Sequence, residues 1–136
     1  MKVLIDSSIW SLAFRRNHPP AATEVGELRV LIEQFRAAIT GPIRQEVLSG
    51  ISRSPQFERL RGLLAAFIDE PLETRDFELA ARFFNDCRAR GVQGAHTDFL
   101  ICATAYARNM PIFTTDKDFM AYSRIVPIRL HHLIDN

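Results

Sequence analysis

Short apolar runs alternate along this chain with longer stretches of helical spacing, and polar residues mark the changes from one to the other. Val3-Leu4-Ile5 is a continuous apolar run, as expected of a buried parallel strand. The Asp6-Ser7-Ser8 that follows supplies N-cap oxygens for a helix carrying Trp10 and Phe14. From Thr23, the residues Val25, Leu28, Leu31, Ile32 and Phe35 recur at helical spacing, and the short run Ala38-Ile39-Thr40 then ends at Gly41-Pro42. Pro42 suits the first turn of another helix, which carries Glu46 and Leu48 and stops near Gly50. Ser54-Pro55 opens the next, with Phe57, Leu60, Leu63, Leu64 and Phe67 on its apolar face, and Ile68 to Leu72 reads as a short edge strand.

In the second half, Thr74 is placed to cap a helix through Phe77, Ala80, Ala81, Phe84 and Cys87, which Gly91 ends in a left-handed conformation. A loop from Val92 to His96 leads to Thr97, the expected cap of a helix with Asp98 in its first turn and Leu100, Ile101, Ala105 and Tyr106 along it. Asn109 and Pro111 close that helix. Ile112-Phe113-Thr114 reads as a strand ending at Asp116, and Val126 to Leu130 as a last edge strand. Strands alternating with helices argue for a parallel α/β sandwich, in which ligands bind beyond the carboxyl ends of the strands. Asp6 and Asp116 both fall there.

A length of 136 residues is enough for one compact domain with a real core and short for two. The hydrophobic share of 47% and charged share of 24% are those of a globular protein and argue against disorder. A net charge of +1 confines any nucleic-acid surface to a local patch. Asp6 interrupts the first apolar run before a signal-peptide core or membrane span can form, so a cytoplasmic location without membrane association is expected. Cys87 and Cys102 lie singly in apolar helical patterns, without CxxC spacing, and read as buried, reduced thiols.

The chemistry is concentrated in four acidic residues, Asp6, Glu46, Asp98 and Asp116, each at or near a strand end or a helix start. Singly, each has an ordinary explanation: Asp6 as a cap, Glu46 as a solvated helix residue, Asp98 as a helix-dipole partner, Asp116 as an Asx-turn. Gathered in one cleft they would repel one another and raise each other's pKa unless a cation neutralised them. An all-oxygen ligand set favours Mg²⁺ or Mn²⁺ over zinc, with waters and substrate phosphates filling the remaining positions. Metal-assisted phosphodiester hydrolysis is the reaction such a site suits.

The segments Val3-Leu4-Ile5-Asp6-Ser7-Ser8, Pro42 to Glu46 before Val47-Leu48, His96-Thr97-Asp98 leading into Leu100-Ile101-Cys102-Ala103, and Ile112-Phe113-Thr114-Thr115-Asp116-Lys117-Asp118-Phe119 together resemble the PIN-domain ribonucleases. Within that family they resemble the VapC-type toxins of type II toxin-antitoxin pairs. The likeness spans nearly the whole chain. It implies an α/β, PIN-like three-layer sandwich around a central, mostly parallel sheet of four to five strands. It also implies that Asp6, Glu46, Asp98 and Asp116 hold one or two Mg²⁺ or Mn²⁺ ions. Asp118 is then either an outer ligand or the cap of the short helix containing Phe119, and capping is the commoner role for a residue that follows a turn Asp. Ser7 matches a hydroxyl position that orients Asp6 or a water, unless it serves as an N-cap, and Thr114 or Thr115 is placed to do the same beside Asp116.

In the mechanism implied, a bound metal activates water for in-line attack on a phosphodiester and stabilises the departing oxygen, so no side-chain nucleophile is needed. His96, just before a helix cap, reads as structural rather than as a general base, and His18, His131 and His132 receive no role. RNA as substrate, transfer or ribosomal RNA in particular, comes from the resemblance. Arg15, Arg16, Arg44, Arg53 and Lys117 are the nearby basic candidates for a phosphate backbone, with a solvated surface as their default reading. The resemblance further implies a VapB-type antitoxin lying across the groove and pairing of the toxin as a homodimer. Trp10 and Phe14, four residues apart on one helix, are candidates for an apolar wall of that groove, with core burial as the alternative. Two other classes stay open. One is a receiver-type phosphoacceptor domain, which Glu46 within a helix fits poorly. The other is a PIN-like scaffold that binds RNA or protein without cutting, against which stands the presence of all four acidic residues.

Overall fold

A computed structural model describes residues 1–14 and 22–133. Arg15, Arg16 and His18 lie outside the described residues. The central strand β1 (Val3–Ile5) is flanked by β2 (Ala37–Ala38) and β3 (Ile112–Phe113), all parallel, in the order β2-β1-β3. Leu4 stands opposite both Ala38 and Ile112, and Ile5 opposite Phe113. Successive strand residues face opposite sides of a sheet, yet Val3, Leu4 and Ile5 are all fully buried. Both faces are therefore covered by helices, the arrangement parallel sheets require.

Those helices are α1 (Ser7–Phe14), α2 (Ala22–Glu33), α3 (Gly41–Leu48), α4 (Ser54–Leu64), α5 (Thr74–Ala89), α6 (His96–Ala107) and α7 (Asp118–Ser123). Thr40 caps α3 in extended conformation, its hydroxyl accepting from the Ile43 N–H at 3.4 Å, with Pro42 in the first turn. Gly50 ends that segment at φ +87°, where a residue with a Cβ would be strained. Trp10 fastens α1 to the sheet. It is fully buried, donates from Nε1 to the Ile5 carbonyl at 3.0 Å, and packs edge-on against Phe67 at 4.9 Å. Phe14 stacks on it at 5.8 Å and is half-buried. Trp10 is thus a core residue, closed off from a partner, and is not the groove wall considered from sequence.

Helices α5 and α6 form the most extensive helix pair, joined by Phe84 against Phe99 and Phe83 against Tyr106. An ion pair clamps one end of it. Asp76, with 0% exposure, accepts from both terminal nitrogens of Arg108 at 2.8 and 2.9 Å and from the Glu73 N–H at 2.8 Å. Arg108 also donates to the Pro71 carbonyl at 2.6 Å. A buried carboxylate with this many donors is fully compensated, and the Arg108 hydrogen bond holds its pKa below the ordinary 3.8.

Several local expectations are corrected. The sheet has three strands, and the two expected edge strands are single parallel bridges, Ile39 with Asp69 and Ile112 with Leu130. Pro71 and Pro127 lie in these segments and cannot donate to a ladder, which stops it from extending. Phe35 leaves the α2 face: the helix ends at Glu33, and Phe35 sits at φ 57° with 91% exposure. The N-cap of α5 is Glu73 rather than Thr74, and α6 begins at His96, one residue before the Thr97 expected to cap it. Cys87 and Cys102 are buried and free, and burial pushes both thiols up. Among the described residues, no helix is long and apolar enough to cross a membrane.

Removing one partner of a buried ion pair leaves the other uncompensated, at a cost of about 3–5 kcal/mol. Arg108→Ala is expected to lose stability on that scale in urea denaturation at pH 7. Because the folded pKa of Asp76 is lowered, the contribution is present above the ordinary 3.8 and is lost as pH falls through the folded value, so the gap between wild type and variant narrows in strong acid. A gap that is absent at pH 7, or that widens in acid, contradicts this role for the pair.

Candidate metal centre

The chain runs out of β1 into α1 at Asp6 and out of β3 toward α7 at Asp116. Strand β2 lies on one side of β1 and β3 on the other, so the connections diverge at this boundary and open a crevice beyond the carboxyl ends of β1 and β3. Asp6 is almost fully buried at the head of this crevice, and its backbone carbonyl accepts from the N–H groups of Ile9 and Trp10 to start α1. Its carboxylate is therefore free to bond elsewhere. Oδ2 accepts from the hydroxyls of Ser8 and Thr114, each at 2.8 Å.

These hydroxyls tie the two strand ends together. Thr114 Oγ1 accepts from the Asp116 N–H at 2.9 Å, and Ser8 Oγ accepts from the Thr115 N–H at 3.1 Å. Thr114 thus fills the supporting role considered for Thr114 or Thr115, and Thr115 is exposed and takes part through its backbone. Ser7 Oγ lies 3.5 Å from Asp6 Oδ1 and donates to Glu46 Oε1, which brings α3 to the same crevice. Of these hydroxyls, Ser8 was read from sequence only as a cap. Its spacing two residues after Asp6, suited to a local side-chain bond, is the signal that could have found it.

Asp98 enters from the first turn of α6 and is half-buried. Its pKa is raised to about 6, first by burial and then by the negative charges of Asp116, Asp6 and Glu46, while a hydrogen bond from Tyr122 opposes the rise. The charges of the other three acidic residues expected from sequence are therefore all felt at Asp98. Tyr122 is fully buried on α7, and its hydroxyl donates to Asp98 Oδ2 at 2.7 Å. Burial and the Asp98 carboxylate push this phenol far above its ordinary range, so it stays a donor. Nothing in local sequence spacing links Tyr122 to Asp98, and it was missed.

Asp118 is not the cap of α7. The cap position is Lys117, and Asp116 before it makes an Asx-turn, with Oδ1 accepting from the Asp118 N–H at 2.9 Å, while Asp118 is the first helical residue. The Asp118 carboxylate turns instead toward the crevice, where Asp98, Asp116 and Asp118 offer oxygen atoms all within 4.8 Å of one another. That separation suits three ligands of one cation. The donor set is entirely oxygen, as a hard divalent ion requires, and the raised pKa of Asp98 reports an electrostatic cost that such an ion offsets.

The remaining candidates divide clearly. His96 is exposed and stacks flat on Phe84 at 4.7 Å. His131 pairs with Glu27 at 3.0 Å and packs against Phe113. Arg44 is committed to the fold, donating to Asp69 and to the carbonyls of Leu64 and Phe67, and is not a phosphate ligand. Arg53 and Lys117 are exposed.

A profile of the PIN domain matches residues 3–125. The VapC ribonuclease Mb1587 of Mycobacterium bovis and ribonuclease VapC11 of Mycobacterium tuberculosis are each 33% identical to this chain over 132 residues, covering 93% of it and 96% of the relative. Among solved structures, FitAcB from Neisseria gonorrhoeae aligns with a TM-score of 0.77 at 18% identity over 96% of both chains. VapBC2 from Rickettsia felis, bound to a fragment of promoter DNA, gives a TM-score of 0.77 at 19% identity over 96% of this chain and 98% of the other. At these identities the structures establish the fold, and the two sequence relatives with the domain profile establish the family. The chain belongs to the PIN-domain family, alongside the VapC ribonucleases.

Proposed function

We propose that this chain is a single PIN domain acting as a VapC-type toxin, a Mg²⁺- or Mn²⁺-dependent endoribonuclease that hydrolyses RNA phosphodiester bonds and is neutralised by a cognate VapB-type antitoxin. The observation that carries the reading is the convergence of Asp6, Glu46, Asp98 and Asp116 beyond the carboxyl ends of β1 and β3, with burial and mutual repulsion raising Asp98 to about 6. Asp98, Asp116 and Asp118 would hold one ion between them, with the charges of Asp6 and Glu46 close enough to be felt at Asp98. A divalent ion held there supplies a water of lowered pKa and positive charge beside the leaving oxygen.

The chain's own residues do the positioning. Ser8 and Thr114 fix one oxygen of Asp6, and Ser7 fixes Glu46, so these carboxylates keep their places without an ion. Lys117, exposed between Asp116 and Asp118, and Arg53 are the assigned contacts for the RNA backbone. A cavity of about 590 Å³ lined in part by Thr114, Thr115 and His132 adjoins the crevice and has room for a flanking nucleotide. The antitoxin and homodimer assignments rest on the VapC relatives and on the VapBC complexes whose fold the chain shares.

Purified chain incubated with total RNA is expected to release discrete fragments with Mg²⁺ or Mn²⁺ and none with EDTA. Asp98→Asn and Asp116→Asn should each lower the rate by roughly a hundredfold or more, since several kcal/mol of charge stabilisation is lost. Folded, antitoxin-free protein that binds metal yet cuts no RNA would move the assignment to a binding scaffold.

The raised pKa of Asp98 gives a second test. Without metal, the folded state holds a proton that the unfolded carboxyl releases near 3.8, so this group's stabilising effect is present below 3.8 and is lost as pH rises through about 6. Thermal melts of metal-free protein are expected to show stability falling across that window, with Mn²⁺ restoring it above pH 6. Metal affinity should also weaken as pH drops below 6, where the ion must displace the proton. Affinity that is flat from pH 5 to 7 would contradict the assignment of Asp98 as a ligand.

A further inference from the structure

We propose that Tyr122 is a positioning residue for the metal centre, holding Asp98 through its hydroxyl, and that Gly94 is required to leave room for that hydroxyl. The inference rests on the reading of Asp98 as a metal ligand. Tyr122 reaches the site from α7, and its ring is held between Phe99 at 4.7 Å and Phe119 at 5.3 Å, with no exposed surface. Two aromatic neighbours leave the ring one orientation, and in it the hydroxyl donates to Asp98 Oδ2 at 2.7 Å. The carboxylate is thereby restrained about its own torsion, with Oδ2 engaged by a neutral donor.

Helix α7 carries more than Tyr122. Its first residue is Asp118, and its start is set by the Asp116 carboxylate. The same short helix therefore places one of the three clustered carboxylates and orients a second, so the spacing among Asp98, Asp116 and Asp118 depends on how α7 docks on α6. The Tyr122–Asp98 hydrogen bond is the polar tie between these two helices at the crevice.

Gly94 lies in the connection between α5 and α6, and its backbone passes against the phenol. A Cβ added there would stand 2.7 Å from Tyr122 Cζ and closer still to the hydroxyl, and 3.0 Å from Phe99 Cε2. Both rings are buried in the core, and the clash is met first at the hydroxyl, the atom nearest the added Cβ. Glycine is needed here for close approach rather than for an unusual backbone torsion, and a side chain at 94 would push the hydroxyl off Asp98. An alternative view makes Tyr122 a packing residue whose hydroxyl happens to meet a carboxylate. The two views separate because only the positioning role ties the hydroxyl to metal affinity.

Tyr122→Phe removes the hydroxyl and keeps the ring. In the full chain, titration with Mn²⁺ followed by the paramagnetic resonance of the free ion is expected to show affinity lowered by about 10- to 100-fold, the usual effect of losing a partner that orients a ligand. The melting temperature should stay within a few degrees of wild type, and the Mn²⁺ concentration for half-maximal RNA cleavage should rise by a similar factor. Gly94→Ala approaches the same contact from the other side and should lower affinity comparably. In the double variant the losses should not add in full, since the part of the Gly94→Ala effect that acts through the hydroxyl is already gone. Folded Tyr122→Phe protein with wild-type Mn²⁺ affinity overturns the proposal, as does full additivity in the double variant. Wild-type protein that binds no Mn²⁺ overturns the assignment of Asp98 as a ligand and this inference with it.

Discussion

The architecture of this protein turns on bringing negative charges together where they repel. A parallel sheet ends its strands on one side, and with β1 central and its neighbours reached by connections running opposite ways, the residues just past β1 and β3 face one crevice. Asp6 and Asp116 occupy those positions, and α3 and α6 deliver Glu46 and Asp98 to the same place. Burial alone disfavours an ionised Asp98, and three neighbouring carboxylates add to the cost. The rest of the fold has to hold that arrangement against its own electrostatics.

It does so with neutral hydroxyls and with a rigid surround. Ser7, Ser8, Thr114 and Tyr122 each engage one carboxylate without cancelling its charge, so the acidic side chains are fixed in direction but keep their attraction for a cation. No arginine or lysine is paired with Asp6, Glu46, Asp98 or Asp116 among the described residues. Such a pair would relieve the repulsion and occupy the site at once. The strong cationic contact is placed elsewhere: Arg108 clamps Asp76 at the far end of α6 from Asp98, where it stiffens the α5–α6 pair that carries Asp98.

Much of this was legible in the sequence because the signals are local. The run Val3-Leu4-Ile5 into Asp6-Ser7-Ser8, and Thr40-Gly41-Pro42, show strand, cap and helix within a few residues, and the structure follows both. Acidic residues at strand ends and helix starts were expected to meet; the charges of Asp6, Glu46 and Asp116 all reach Asp98, while the oxygens within 4.8 Å of one another are those of Asp98, Asp116 and Asp118. What was not legible depends on tertiary contacts or on a close choice between local options. Prolines at 71 and 127 reduced the edge strands to single bridges, and the helical spacing that included Phe35 continued past the true end of α2. Asp116 makes the Asx-turn open to it, but Asp118 is not the cap of α7, a choice that nearly equal local geometries leave to the surrounding fold. Tyr122 is the clearest case, since its contact with Asp98 spans 24 residues and exists only once α7 is docked.

The central claim is that these carboxylates are gathered for a divalent cation, and the most direct test is to locate one. Crystals grown or soaked with Mn²⁺ and measured for anomalous scattering at the manganese edge are expected to show density in the crevice, about 2 Å from carboxylate oxygens of Asp98 and Asp116. Well-ordered crystals at saturating Mn²⁺ with density only at surface acids such as Glu58 or Glu78, or with an Arg or Lys side chain occupying the crevice instead, would contradict it.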